Sequence, residues 1–95
     1  MTDSAKKKSL ERKLIIKNKL GLHARPAALL VQTANRFKCD VEILKGRQKV
    51  NGKSIMGIMT LAAGAGTPIT VRTTGEDAAE AMEQISKLIT DNFGE

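Results

Sequence analysis

From Arg12 to Lys17 apolar and polar side chains alternate. Leu14 and Ile16 fall on one face of an extended chain and Lys13 and Lys17 on the other, with Ile15 out of step. Asn18-Lys19-Leu20-Gly21-Leu22 breaks the alternation and reads as a connecting loop. From Ala24 the period changes: Ala27, Leu30, Val31, Ala34 and Phe37 recur at three or four, which predicts an amphipathic helix of about three to four turns. Pro26 sits in its first turn, where a missing N–H costs almost nothing. Arg36 and Lys38 stand near its end, where cations suit the helix dipole.

Alternation returns in Asp40-Val41-Glu42-Ile43-Leu44-Lys45, with Val41 and Ile43 facing inward. Gly46 marks a turn, and Gln48-Lys49-Val50-Asn51 is a short polar return strand, so the two pieces predict a hairpin. Gly52-Lys53-Ser54 closes it and opens a new element. Ser54 is a good N-cap, and Ile55 to Ala63 is apolar and rich in helix formers. Gly64 to Pro68 is a loop, Ile69 to Thr73 alternates as the last strand, and Glu76 and Asp77 place negative charge at the start of a final helix. Ala78, Met82, Ile85, Ile89 and Phe93 form its predicted buried stripe. The order β-α-β-β-α-β-α implies an antiparallel or mixed sheet with helices packed on one face.

With 95 residues the chain suits one domain, expected over residues 11–95, behind a basic tail of residues 1–10 that is expected to lack order. Lys6, Lys7 and Lys8 are followed by no apolar run, so no secretory signal or membrane span is expected, and the chain is placed in the cytoplasm. Cys39 is the only cysteine and His23 the only histidine. An internal disulfide is therefore excluded, and no zinc or other metal site is expected. Cys39 itself reads as a small, semi-buried hydrophobe. The net charge of +6 is unevenly spread: residues 1–13 carry +3, residues 14–53 carry +7 and residues 54–95 carry −4. A basic middle can meet nucleic acid, a membrane surface or an acidic protein. Tyr and Trp are absent and only Phe37 and Phe93 are aromatic, which argues against a base-stacking platform; a nucleic-acid binder ranks low.

Chemistry concentrates in Gly21-Leu22-His23-Ala24-Arg25-Pro26-Ala27-Ala28. His23 stands at the last loop position before a helix, so its ring can lie over the unpaired N–H groups of Ala24 and Arg25. Those donors and the positive end of the dipole suit an anion, and Arg25 can add a charge-assisted contact. Pro26 pre-sets the first turn without competing as a donor. An imidazole that is partly neutral near pH 7, in a setting that tolerates added negative charge, can carry a phosphoryl group. Taken alone, a histidine before a helix is more often a cap or a surface residue.

Three segments decide the matter. Gly21-Leu22-His23-Ala24-Arg25-Pro26-Ala27, Lys53-Ser54-Ile55-Met56-Gly57-Ile58-Met59 and Gly75-Glu76-Asp77 resemble, in order and spacing, the signatures of HPr, the histidine phosphocarrier family of the phosphoenolpyruvate-dependent phosphotransferase system. The resemblance runs from about Arg12 to Phe93. It implies an α+β, two-layer open-faced sandwich: four antiparallel strands in the order 1-4-2-3, with three helices on one face. It also implies that His23 accepts phosphate on Nδ1, that Ala24 and Arg25 bind the phosphate, and that no cofactor is needed. The implied partners are enzyme I as donor, enzyme IIA domains as acceptors and a dedicated serine kinase, with the carrier itself a monomer that serves sugar uptake in a bacterium.

Ser54 matches the family's regulatory serine, although a helix cap alone would also favour serine there. Ile55, Met56, Ile58, Met59 and Leu61 are too many apolar residues for one buried stripe on a helix of about two turns. Some are therefore expected to face solvent, and Ile55, Met56 and Met59 are the candidate contact surface, since methionine adapts to several partners. The alternative reading is a regulatory binding module or phosphorelay component controlled through Ser54 with no direct role in sugar transport. Family members that have become binding modules lack the active histidine, whereas His23 and Arg25 are both present.

Overall fold

In the computed structural model, residues 9–95 are described; the basic tail expected at residues 1–10 falls, for residues 1–8, outside the described residues. Ser9 and Leu10 belong to the sheet. The first strand, β1 (Ser9–Ile15), starts earlier than the alternation suggested, because its pairing with a later strand extends register from Ile15 opposite Pro68 back to Ser9 opposite Thr74. There follow α1 (Ala24–Ala34), β2 (Asp40–Lys45), β3 (Gln48–Asn51), α2 (Ile55–Thr60), β4 (Pro68–Thr74), α3 (Ala78–Thr90) and a 3-10 turn (Asn92–Gly94). The sheet is antiparallel throughout, in the order β1-β4-β2-β3, as the family resemblance implied.

One face of the sheet is apolar because alternate residues of its central strands point the same way. Val41, Ile43, Ile69 and Val71 are buried there, against Leu30, Val31 and Ala34 of α1, Ile58 of α2, and Met82, Ile85 and Ile89 of α3. Cys39 joins this core. The opposite face is polar. Arg72 of β4 reaches Glu11 of β1 through Nε at 2.7 Å and Glu42 of β2 through Nη1 at 3.3 Å, and Glu42 also meets Lys49 of β3 at 3.5 Å. This ladder of cross-strand pairs keeps the open face wet.

Two helices end earlier than their apolar stripes suggested. α1 stops at Ala34, leaving Phe37 half-buried beyond it. α3 stops at Thr90, after which Asn92 and Phe93 both take left-handed backbone, at φ 56° and 57°. Asn is among the residues that visit this region readily, whereas for Phe93 the conformation costs on the order of 1–3 kcal/mol. Packing Phe93 into the core, where it is 3% exposed, returns about 1.5–3 kcal/mol. The consequence is a reversal of the chain that carries Glu95 back toward the loop after β1.

Candidate functional site

The loop between β1 and α1 is held from both sides. The N–H of Leu22 donates to the carbonyl of Ala63 at 2.8 Å, and Gly21, at φ 69°, lies so close to Ala63 and Gly64 that a Cβ there would come within 2.6 Å of the Gly64 Cα. Only glycine tolerates both the positive φ and that approach. The loop that delivers His23 is thus docked on the segment following α2, which explains why distant stretches of sequence build one region.

His23 is the N-cap residue of α1, with extended backbone and no capping hydrogen bond from its side chain. Its carbonyl accepts the N–H of Ala27 at 3.0 Å, as the first helical bond should. Pro26 falls at the third helical position, where it removes a donor that the helix cannot use. Neither the Ala24 N–H nor the Arg25 N–H has a partner among the described residues, so both remain available at the positive end of the helix. Arg25 is exposed and enters no ion pair among the described residues.

The ring of His23 does not stand alone over the helix. Its Nε2 lies 3.1 Å from Oε2 of Glu95, with the two side chains 36% and 25% exposed. The other oxygen of Glu95 accepts from Nδ2 of Asn18 at 3.3 Å, and the same Nδ2 donates to the carbonyl of Gly21 at 2.6 Å. Asn18 is 4% exposed, and its Oδ1 has no partner among the described residues. Leaving that oxygen buried costs on the order of 1–3 kcal/mol. The cost is explained by Nδ2, which serves two acceptors at once; the reversed amide would set an oxygen against both. Sequence reasoning missed Asn18 and Glu95, since neither falls within the motif around His23.

Ser54 caps α2, its Oγ accepting the Gly57 N–H at 3.0 Å. Beyond it Ile55, Met56 and Met59 are exposed by 46%, 76% and 41%, whereas Ile58 and Leu61 are fully buried. Leu20, in the loop leading to His23, is also exposed, and nothing in its local pattern distinguished it.

The sheet order, the single covered face and a half-exposed histidine on the N-terminus of α1 define a small α+β open-faced sandwich with an anion-ready imidazole. Residues 10–91 match the family model described as PTS HPr component phosphorylation site. The chain is 51% identical over 86 residues to Phosphocarrier protein HPr of Neisseria meningitidis serogroup A, an alignment covering 90% of this chain and 97% of that protein. It is 52% identical over 80 residues to HPr-like protein Crh of Halalkalibacterium halodurans, covering 84% and 95%. The crystal structure of HPr-C-His from Thermoanaerobacter tengcongensis superposes with a TM-score of 0.88 at 48% identity, covering 90% of this chain and 97% of that one. The chain belongs to the HPr family of the phosphotransferase system.

Proposed function

We propose that this protein carries phosphoryl groups on His23, taking them from phosphorylated enzyme I and giving them to enzyme IIA domains in the cytoplasm of a bacterium, in the service of sugar uptake. The observation that carries the reading is the pair of unpartnered N–H groups, Ala24 and Arg25, at the N-terminus of α1 beside a half-exposed histidine, in a chain of this family. Those donors and the Arg25 guanidinium offset the charge added on phosphorylation, while an open site lets the group leave again. Nδ1 of His23 is the accepting atom. The carrier works as a monomer. Ile55, Met56 and Met59 form the surface that partners cover, and a serine kinase acts on Ser54.

The test is incubation with enzyme I and phosphoenolpyruvate, followed by intact mass. One phosphoryl group is expected, labile in acid and stable in alkali, and His23→Ala should abolish it; a phosphorylated His23→Ala protein refutes the assignment. A second reading, a regulatory module acting through Ser54, draws on the 52% identity to an HPr-like protein Crh. It ranks below the first because His23 and Arg25 are both present.

A further inference from the structure

The reactive nitrogen of His23 has to be unprotonated while the ring is neutral, and in a free imidazole the single proton can sit on either nitrogen. What lies beside the other nitrogen decides between them. Oε2 of Glu95 stands 3.1 Å from Nε2, and an ionised carboxylate can only accept, so this contact places the proton on Nε2 and leaves the lone pair on Nδ1. The carboxylate is itself positioned: Nδ2 of Asn18, on a side chain 4% exposed, donates to its other oxygen and also to the carbonyl of Gly21, two residues before His23. One buried amide thus ties the loop that carries the histidine to the residue that orients its ring.

We infer that Glu95 is a positioning residue for phosphoryl transfer, holding His23 in the tautomer whose Nδ1 is nucleophilic and balancing the charge that the ring acquires. The inference rests on the carrier reading above. In the step itself the Nδ1 lone pair forms a bond to phosphorus while the bond from phosphorus to the leaving atom of the donor protein breaks, its electron pair staying on that atom. The Nε2 proton does not move. The ring, now bonded at both nitrogens, becomes imidazolium-like, and its positive charge faces Glu95 from the edge away from the phosphate. A carboxylate on the far nitrogen plays the same part in the Ser-His-Asp triad and beside many metal-bound histidines.

Glu95 is partly exposed, so its replacement leaves the core untouched. In the unphosphorylated full chain with 15N-labelled histidine, at about pH 8.5 where an ordinary imidazole is neutral, the nitrogen shifts report the tautomer ratio. Glu95→Ala should lower the Nε2–H fraction and slow phosphorylation by phosphorylated enzyme I about fivefold, the upper range for an ion pair of this exposure. Glu95→Gln, which keeps an accepting oxygen, should recover most of the tautomer ratio and part of the rate. An unchanged tautomer ratio in Glu95→Ala overturns the inference, and so does an unchanged rate. A wild-type chain that takes up no phosphate overturns the carrier reading instead, while the tautomer measurement, made without phosphate, still decides whether Glu95 holds the ring.

Discussion

Asp77 stands immediately before α3 yet makes no capping hydrogen bond to it. Its two carboxylate oxygens instead accept the backbone N–H groups of Lys38 and Cys39, each at 2.9 Å, and so fasten the loop before β2 to the start of the last helix. The Lys38 bond comes first among the causes that hold the Asp77 carboxyl below its usual range. Burial, and then the Asp77 carboxylate beside it, push the Cys39 thiol up to about 11, so that it stays protonated at neutral pH. A carboxyl with a depressed folded pKa stabilises the protein above its unfolded value, near 3.9, and that contribution is lost as pH falls through the folded value. Thermal melts of wild type and Asp77→Asn should therefore differ by a constant margin above about pH 5, with the margin shrinking toward pH 3. A margin that does not depend on pH would mean the carboxylate charge is immaterial. His23 was legible because the motif around it is contiguous and two further contiguous motifs support the same family resemblance. Asp77 was read as a helix-start acid and as part of the Gly75-Glu76-Asp77 signature, but not as a clamp on the loop before β2, because its partners are 38 and 39 positions away.

Among the elements, α2 divides its side chains most sharply. Six residues give it less than two turns, so Ile58 alone of its helical residues reaches the core, and Ile55, Met56 and Met59 remain outside. Ser54 closes its first turn by accepting the Gly57 N–H. Removing that oxygen in Ser54→Ala should cost about 1 kcal/mol of stability, whereas Ser54→Asp keeps an acceptor and adds a negative charge that the helix start favours. If partners bury this surface, Ser54→Asp and Met56→Glu should both accept phosphate from enzyme I at least tenfold more slowly while melting within a few degrees of wild type, since burying an unpaired charge costs several kcal/mol. Intact mass against time, beside a thermal melt, separates the outcomes: wild-type rates remove α2 from the docking surface, and a collapsed melting temperature makes Met56 a packing residue. The excess of apolar residues on a short helix was visible in the sequence. Which of them turn outward depended on how α2 lies against α1 and the sheet.

Over the whole molecule, charge is partitioned by region: the +7 of residues 14–53 includes the loop and helix that carry His23, and the −4 of residues 54–95 includes all of α3. An acidic partner is therefore drawn toward the basic part before contact, and such steering weakens as the screening length falls from about 10 Å at 0.1 M salt to about 3 Å at 1 M. The second-order rate of phosphorylation by enzyme I should drop severalfold across that range while intact His23 chemistry persists; a flat dependence assigns the charge another role. Element order, helix number and the inward faces of β2 and β4 could be anticipated, because alternation and helical spacing are imposed by backbone geometry within windows of about ten residues, whereas the strand order came only with the resemblance carried by the motifs around His23 and Ser54. The early end of α3 could not. Its apolar spacing continues to Phe93, and only the packed core turns the chain left-handed there to bury that ring. That reversal brings Glu95 to a histidine 72 residues earlier, while the fold buries Asn18 beneath the contact. The sequence by itself determined the layers and singled out His23 as the proposed phosphate acceptor, through local periods and contiguous motifs; the tertiary structure alone decided that Glu95 and Asn18 stand beside it, because hydrogen bonds across so long a loop exist only once the core has closed.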